Sequence, residues 1–565
     1  MRGQNAAEVE LHPLEEMLIK ETAADHRTIS RCDKVSRRKV LGAFFTPSHL
    51  ARYVLKKAIN LCNLSSRART TQYENHILDP AVGAGVFLAE AISIFKNAQD
   101  TQTHLVGIDI EPRAISASRR QISQLISRGE NFDIKLFNEN FLSSWEPPRG
   151  QLYDLIVGNP PWGLYRQPKA AAAEFPDISL EFVARSLRFL RREGTLGFLL
   201  PGTWLSSMKF VRFREFILAQ RRIIQITILR DRWFKMAAYT SDPVVLILGP
   251  IVPSEDLRVE LFSLEQRDRE TKLYSVNAGD IKKNVGIRIP VAPHSFHRFL
   301  KAPDLLTHGA VKVLPAGRWG ITSSAGLKTY KNSEFVFSKE NAEKLCAKGN
   351  ARMKSTLSTS EKKHGVKSNK IVLIPFDKGG PTIIEGEPTD FATPERYFAR
   401  WDEAAVREYS LRSGMRNMKL YFQPGINFSA SGLYCPIFRK SMNAVFDADY
   451  PLISMKEGTQ WALLGLLNSP PCLFLVKHLI NRTAHFKNQD LRDLPIPDPQ
   501  QLPHELASLA KSFFEARSAQ THVPEYWYRK LSYIASTAYG LSESERKQVW
   551  KWYRETRLRL RSVRN

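Results

Sequence analysis

The feature that most constrains the fold is an apolar segment that ends in a glycine-rich turn. Residues 77–88, Ile-Leu-Asp-Pro-Ala-Val-Gly-Ala-Gly-Val-Phe-Leu, predict a strand, a turn and the start of a helix. The next apolar segment, residues 105–110, predicts a second strand that carries Asp109 about twenty residues further on. This spacing is typical of a βαβ unit whose acid binds the ribose hydroxyls of a nucleotide. The sequence therefore predicts an α/β domain with a nucleoside-containing ligand.

The glycines also indicate which nucleoside is bound. Gly83 and Gly85 would let the backbone approach a ligand, although a lone Gly-x-Gly is weak evidence. The third glycine of a dinucleotide fingerprint is absent, and no phosphate-coordinating Lys follows as in a P-loop. The pattern therefore favours S-adenosylmethionine, whose adenosine is linked to an amino acid and carries no phosphate.

A further apolar strand, residues 153–158, runs directly into Asn159-Pro160-Pro161-Trp162. The exocyclic amine of adenine is a poor nucleophile because its lone pair is delocalised into the ring, and two acceptors aimed at its N–H groups would return that pair to nitrogen. Asn159 and the Pro160 carbonyl can supply both acceptors, and the two prolines hold the backbone rigid. Trp162 offers a ring on which an extruded base can stack. The alternative interpretation of these residues alone is a Pro-Pro turn followed by a packed Trp.

The order of these motifs resembles that of the γ-class adenine-N6 DNA methyltransferases with a C-terminal recognition domain of the TaqI type. The resemblance runs from Gly42 to the C-terminal part of the chain, and implies a Rossmann-like methyltransferase sheet, an α+β DNA-recognition domain and base flipping. Where the family usually has Asp-Phe-Leu, this chain has Asn140-Phe141-Leu142. We expect weaker cofactor binding there, because the Asn oxygen can still accept a hydrogen bond. The resemblance implies cofactor contacts from Phe45, Thr46, Pro47, Asp79, Pro80, Ala81, Gly83, Gly85, Phe87, Asp109, Ile110, Asn140 and Phe141.

The resemblance also implies an aromatic residue that contacts the flipped base from the side opposite Trp162. Phe234, which follows the strand and breaker at residues 194–201, fits that position best. Phe234 is equally consistent with a core residue, and Trp233 or Tyr239 could take the same role.

The charge of the chain agrees with a polyanionic partner. Its 565 residues carry a formal net charge of +25 and give a pI near 9.8, a trait shared by ribosome-binding and membrane-surface proteins. The longest apolar stretch, near residues 463–480, is interrupted by Asn468-Ser469-Pro470-Pro471 and Lys477-His478, so no membrane span is predicted. The N-terminus has no signal-peptide pattern, and the five cysteines include no C-x-x-C pair. We therefore expect reduced thiols, no metal site and a cytoplasmic location.

Composition and periodicity divide the chain into four regions. Short β-branched runs alternate with helical patterns such as residues 178–190 in the second region, whereas basic residues recur among aromatics in the third. The basic run at residues 31–39 could contact DNA or simply be solvated. Near the end, Ser542 begins a Ser-x-x-Glu capping box. The predicted regions are a basic helical extension (1–41), a methyltransferase domain (42–255), a target-recognition domain (256–501) and a basic helical segment (502–565).

Two segments of the third region resemble the recognition domain of the same family. They are residues 318–332, which include Gly-Leu-Lys-Thr, and residues 463–469. Such a domain holds phosphates through Lys and Arg. The Lys-rich residues 344–370 predict a loop, which either orders on DNA or is solvated and without function. The DNA contacts implied by this resemblance are Arg318, Lys328, Lys331 and Arg482.

These observations predict a site-specific adenine-N6 methyltransferase that acts on double-stranded DNA within a restriction or related defence system. We find no nuclease metal-binding motif, and the extension ahead of Gly42 is short for a nuclease domain, so any cleavage is expected from a separate subunit. One alternative is an N-methyltransferase that acts on RNA or on a protein glutamine. The long basic C-terminal region argues against the glutamine substrate. Another alternative is a DNA-binding specificity subunit whose methyltransferase domain has decayed. The intact motif at residues 159–162 argues against such decay.

Overall fold

The computed structural model divides the chain into two compact units, which meet in sequence between Ile287 and Arg288. The residues that it describes are 46–61, 74–96, 101–126, 131–163, 174–230, 242–250, 257–265, 269–300, 307–308, 311–379, 383–384, 387–393, 396–430, 436–455, 458–483 and 485–562. The predicted N-terminal extension, residues 1–41, lies outside them.

The first unit is built on one nine-stranded sheet. The strand order is β3-β2-β1-β4-β5-β7-β6-β8-β9. Neighbours from β3 to β5 are parallel, β7 is antiparallel to β5 and β6, β8 is parallel to β6, and β9 is antiparallel to β8. The strands are β1 (Asn75–Asp79), β2 (Thr103–Asp109), β3 (Phe132–Asn138), β4 (Tyr153–Gly158), β5 (Leu190–Pro201), β6 (Arg222–Leu229), β7 (Pro243–Gly249), β8 (Arg258–Glu265) and β9 (Arg269–Asn277).

Helices of the first unit pack their apolar faces on this sheet. Leu50, Val54 and Ala58 of α1 recur four residues apart and are fully buried, as expected for a helix that covers a sheet. They share a core cluster with Leu88 of α2 and Leu155 of β4. The helices are α1 (Ser48–Leu61), α2 (Val86–Phe95), α3 (Pro112–Ser123), α4 (Ile178–Phe189), α5 (Val211–Gln220) and α6 (Ala278–Lys283).

The second unit combines small sheets with helices. Its sheets have the orders β10-β11-β22, β12-β17-β14-β13 with β20 beside β14, β15-β16, and β19-β18-β21. The strands are β10 (Thr307–His308), β11 (Val311–Pro315), β12 (Val336–Ser338), β13 (Ala351–Met353), β14 (Ile371–Asp377), β15 (Ile383–Ile384), β16 (Glu387–Pro388), β17 (Tyr397–Arg400), β18 (Gly425–Phe428), β19 (Phe438–Lys440), β20 (Val445–Phe446), β21 (Leu452–Ser454) and β22 (Pro495–Pro497). The helices are α7 (Asn332–Phe335), α8 (Lys339–Ala347), α9 (Thr359–His364), α10 (Glu403–Leu411), α11 (Gln460–Leu467), α12 (Pro470–Leu475), α13 (Asn488–Asp493), α14 (His504–Ser518), α15 (Glu525–Ala538) and α16 (Glu543–Ser562).

The unit boundaries differ from the predicted ones. β8 and β9 continue the first sheet, so the first unit ends at Ile287 and not at residue 255. The C-terminal helices are not a separate segment, because Leu506, Leu531 and Tyr553 belong to the same core cluster as Phe296.

Two local predictions in this region have clear outcomes. The capping box is confirmed: Ser542 N donates to Glu545 Oε2 at 2.8 Å, and Glu545 N donates to Ser542 Oγ at 3.4 Å. The loop predicted at residues 344–370 is wrong in part, because these residues include the end of α8, β13 and α9.

Within the described residues, no single helix is long and apolar enough to cross a membrane, and one pair, Gln460–Leu467 with Pro470–Ile480, reaches that length and composition only across a 54° bend.

Candidate active site

The candidate site lies at the carboxyl ends of β1, β2 and β4. β1 lies between β2 and β4, and the strand order reverses there. Open α/β sheets bind ligands in the crevice outside such a reversal. Asp79 ends β1, Asp109 ends β2 and Asn159 follows β4. The three polar residues identified in the sequence therefore lie along one edge of the sheet.

Asp109 fixes the glycine turn through its carboxylate. Gly83 N donates to Oδ2 at 2.9 Å, and Glu111 N donates to Oδ1 at 2.9 Å. Burial raises the pKa of Asp109, and these two N–H groups oppose that rise. Gly83 has a φ of +52°, and no atom lies within 4 Å of the position that a Cβ would occupy. Ile110, the next residue after the acid, is 64% exposed, so an apolar surface is available beside the carboxylate.

Gly85 has a different role from Gly83. Its φ is +91°, and a Cβ there would lie 2.5 Å from Ser118 Oγ of α3. Gly85 is thus required by the packing of α3 against the start of α2. The sequence predicts that a ligand approaches the backbone closely at both glycines. In the structure only Gly83 has free space for such an approach.

Asp79 is a fully buried carboxyl group with one unsatisfied oxygen. Its Oδ1 accepts from Ala81 N at 3.1 Å, and its Oδ2 has no hydrogen-bond partner. Burial raises the pKa of Asp79 to about 8, and the charge of Asp109 adds to that rise. A Cβ on Gly158 would lie 2.7 Å from Asp79 Oδ1, so the glycine before Asn159 makes room for this carboxyl. Buried polar atoms are rarely left unpaired, so Oδ2 fits a donor supplied by a ligand, such as the amino group of S-adenosylmethionine.

A hydrogen bond connects Thr46, which lies just before α1, with the motif that follows β4. Asn159 Nδ2 donates to Thr46 Oγ1 at 3.0 Å, and Thr46 is buried. This hydrogen bond fixes the orientation of the amide, and with it the position of the oxygen that the sequence assigns to the substrate amine. Pro47 accepts backbone hydrogen bonds from Leu50 and Ala51 at 3.0 Å each and so begins α1.

Trp162 is held at the end of β4 by its indole nitrogen. Nε1 donates to Leu199 O of β5 at 3.3 Å, and the half-buried ring packs against the core cluster of the first unit. Pro160 is buried and Pro161 is half-buried. The ring is therefore positioned by the sheet and not by the turn alone. Phe45, Phe234, Trp233 and Tyr239 lie outside the described residues.

Two aromatic residues among the predicted cofactor contacts are buried, and a third predicted contact makes a local hydrogen bond. Phe141 is 2% exposed and stacks on Phe182, with ring centroids 5.2 Å apart. Phe87 is also 2% exposed, within the core. Asn140 Oδ1 accepts from Leu142 N at 3.0 Å, which closes a local turn. Phe87 and Phe141 therefore act as core residues in this structure, while Pro80 is buried and Ala81 half-buried in the turn.

The predicted DNA contacts all lie in the second unit. Arg318 and Lys328 are exposed, and Arg482 is half-buried. Lys331 is exposed and pairs with Glu334 at 3.4 Å and with Glu408 at 4.0 Å. Because these two carboxylates neutralise its charge, Lys331 is less suited than Lys328 to bind a phosphate.

Sequence reasoning missed an aromatic group beside Lys328. The ammonium of Lys328 lies 5.3 Å from the centroid of the exposed Tyr330 ring, and the guanidinium of Arg412 lies 6.0 Å from the same centroid. The Tyr330 hydroxyl donates to Arg412 O at 2.8 Å. Tyr330 lies within residues 318–332, which the sequence assigns to the recognition domain. Arg412 is 82 residues further along the chain, so only the fold brings it to Tyr330. Thr46 and Asn159, 113 residues apart, were missed as a pair for the same reason.

A family model matches part of the first unit. Residues 103–234 match the family model described as Eco57I restriction-modification methylase. The match runs from β2 through β6 and includes the motif at Asn159. This region is similar to the Eco57I-type methylases. The nine-stranded sheet confirms the α/β fold class, and the match supports the predicted Eco57I-type family together with its cofactor, S-adenosylmethionine. The γ class and the C-terminal recognition domain stay predictions.

The curated relatives that the chain matches are named type II methyltransferases. M.TthHB8I of Thermus thermophilus is 27% identical over 203 residues, and M.VspI of a Vibrio species is 28% identical over 194 residues. The alignments cover 32% and 33% of this chain, and 40% and 43% of the relatives. The chain therefore spans less than half the length of the curated relatives it matches.

A solved structure extends the likeness to most of the chain. It is a nuclease-deletion mutant of the Type ISP restriction-modification enzyme LlaGI in complex with a DNA substrate mimic. The TM-score is 0.50 at 11% identity, over 91% of this chain and 59% of that one. At this identity the likeness concerns the fold alone.

Proposed function

We propose that this chain is a site-specific DNA methyltransferase that methylates the N6 amine of adenine within a restriction-modification system. The observation that carries the proposal is the hydrogen bond from Asn159 Nδ2 to Thr46 Oγ1, which orients the amide beside Pro160 at the methyl-transfer edge of the sheet. An acceptor held in place before the substrate arrives stabilises the transition state without reorganisation.

In this mechanism the cofactor supplies the methyl group. Asn159 and the Pro160 carbonyl accept hydrogen bonds from the two N–H groups of the target amine, which localises the lone pair on nitrogen. With the lone pair localised in this way, the amine would accept the methyl group, and one amine proton would pass to solvent. Asp109 would hold the ribose, and Asp79 would hold the amino end of the cofactor. No general base is required.

The target base has to leave the duplex to reach Asn159. Trp162 supplies one ring face for the extruded adenine, and Phe234 is proposed as the opposite face. The second unit binds duplex DNA through Arg318 and Lys328, supported by the exposed ring of Tyr330. The relatives named type II methyltransferases, and the DNA mimic bound by LlaGI, support DNA as the substrate. If cleavage of unmethylated DNA accompanies this protein, we propose that a separate subunit performs it.

Transfer of labelled methyl groups tests this function directly. The full chain is incubated with tritiated S-adenosylmethionine and, separately, plasmid DNA, total RNA or total protein, and methylated nucleosides are identified by mass spectrometry. We expect label in N6-methyladenine of DNA. Asn159→Ala should lower the rate at least about a hundredfold, whereas Asn341→Ala, an exposed position on α8, should not. Label in RNA, in protein glutamine or in another DNA base would contradict the proposal.

A further inference from the structure

The edge of the first sheet opposite the candidate active site carries a row of metal-ligating side chains that methyl transfer does not use. His76 of β1 pairs with His104 of β2, and His104 pairs with Asp133 of β3, in the parallel register. Glu74 lies two residues before His76 and therefore on the same face, because side chains alternate along a strand. The four residues thus lie side by side near the amino ends of three strands.

The ligand atoms of this row converge on one point. The rings of His76 and His104 are stacked, with centroids 4.5 Å apart and an interplanar angle of 5°. Their Nε2 atoms lie 3.6 Å and 3.2 Å from the same oxygen, Oε2 of Glu74. A tetrahedral zinc ion with bonds of about 2.0–2.1 Å has ligand atoms roughly 3.3–3.4 Å apart. The two observed distances lie on either side of that value.

Asp133 orients His104 for such a role. Its Oδ2 lies 3.0 Å from His104 Nδ1, and Lys135 holds the same oxygen at 3.2 Å. A proton on Nδ1 that is donated to Asp133 leaves the lone pair on Nε2, which is the arrangement of a carboxylate, histidine and metal triad. His104 Nε2 is buried and has no hydrogen-bond partner, although a carboxylate oxygen lies 3.2 Å away. With the proton on Nδ1, two acceptor atoms face each other, and a cation between them would bond to both.

The surroundings permit entry of a cation. Glu74 has a side chain 58% exposed, while the two histidines are half-buried, so the row opens to solvent on the Glu74 side. The nearby Arg191 is neutralised by Asp154, which it contacts at 2.7 Å. Asp154 also accepts from the backbone N–H of His76 at 3.0 Å and fixes the start of β1.

We propose that Glu74, His76 and His104 form a binding site for a divalent cation of the zinc class. Asp133 acts as the positioning residue, and water takes the fourth ligand position. Imidazole ligands select zinc-class cations over Mg²⁺ and Ca²⁺, which prefer oxygen alone. Because the site ties β1 to β2 at the edge remote from Asn159, its role is to stabilise the sheet and not to take part in methyl transfer.

Zinc titration of the full chain tests the site. Chelator-treated protein is titrated with Zn²⁺ against a chromophoric competitor, and Co²⁺ is added separately to record the visible absorption of a tetrahedral complex. We expect His76→Gln and His104→Gln each to lower the affinity at least about tenfold, and Asp133→Asn to lower it roughly 10- to 100-fold. His522→Gln, an exposed histidine of the second unit, is the matched control and should bind as the wild type does.

Thermal midpoints provide a second readout that does not depend on activity. Zn²⁺ should raise the midpoint of the wild type and of His522→Gln, and leave that of His104→Gln unchanged, since only a ligand of the folded state stabilises it. Binding of S-adenosylmethionine shows that each variant is folded, and Glu74→Gln at an exposed side chain offers a mild replacement if a histidine variant fails. If the wild type did not bind zinc, the proposal would be overturned. A proton shared between His104 and Glu74 would then explain their close contact. Equal binding by wild type and Glu74→Gln would also overturn it.

Discussion

Replacing Thr46 by Val should slow methyl transfer without weakening cofactor binding, because Thr46 acts through Asn159. Val preserves the buried volume and removes only the oxygen that accepts from Asn159 Nδ2 at 3.0 Å. Loss of one neutral hydrogen bond costs about 0.5–1.5 kcal/mol. The amide would then sample the flipped orientation, in which N–H groups face the substrate amine. Since 1.4 kcal/mol is tenfold, we expect a fall in rate of about two- to twelvefold, far less than for Asn159→Ala.

Single-turnover methylation at saturating cofactor measures this rate, and equilibrium titration measures the Kd of S-adenosylmethionine. Thr46→Ser retains the hydroxyl and is the matched control, with a rate close to that of the wild type. If Thr46→Val instead raised the cofactor Kd and left the single-turnover rate unchanged, Thr46 would be a cofactor contact, and the positioning argument would be refuted.

Three further predictions concern stability, DNA and base extrusion. Because the pKa of Asp79 is raised to about 8, the thermal midpoint of cofactor-free protein should fall as the pH rises from about 4 to 8. Asp79→Asn should make the midpoint less dependent on pH in this range. If the midpoints of wild type and Asp79→Asn fell in parallel, Asp79 would not be the source of the decline. Arg318→Ala and Lys328→Ala should each reduce the slope of log K against log salt for DNA by about 0.9, and an unchanged slope would exclude a phosphate contact. Trp162→Ala should slow methylation of paired adenine more than of mismatched adenine, since a mismatch has already paid part of the extrusion cost; equal losses on both substrates would argue against stacking.

The sequence predicted best those features that depend on local pattern. The run from Ile77 to Leu88 forms the strand, turn and helix that its glycines indicate, and α4 ends at Phe189, one residue before the predicted end. The strand that runs into Asn159 is β4 as expected. Spacing, period and turn chemistry act over a few residues, so one chain is enough to recognise them.

Features that depend on long-range pairing were not accessible in this way. The sequence predicted the end of the methyltransferase domain at residue 255, yet the next two strands return to the same sheet, β8 beside β6 and β9 beside β8. The contact of Thr46 with Asn159 and the row from His76 to Asp133 arise only from strand order and register. The Lys-rich residues 344–370 suggested a loop because charge dominates them, whereas a capping box at Ser358 and pairing of β13 with β14 give them regular structure.

The position of β8 and β9 determines where the chain can be divided for expression. β8 pairs along β6 from Gln225 to Leu229, and Ile226, Ile228 and Leu229 are fully buried. A fragment ending at residue 255 would leave β6 as an edge strand with unpaired N–H and C=O groups flanked by apolar side chains, which is a template for aggregation. A fragment carried through to Ile287 keeps both strands and closes the sheet with β9, whose charged residues Arg269, Glu270 and Lys272 protect the edge. Insolubility of the shorter fragment would therefore reflect the cut and not the catalytic unit.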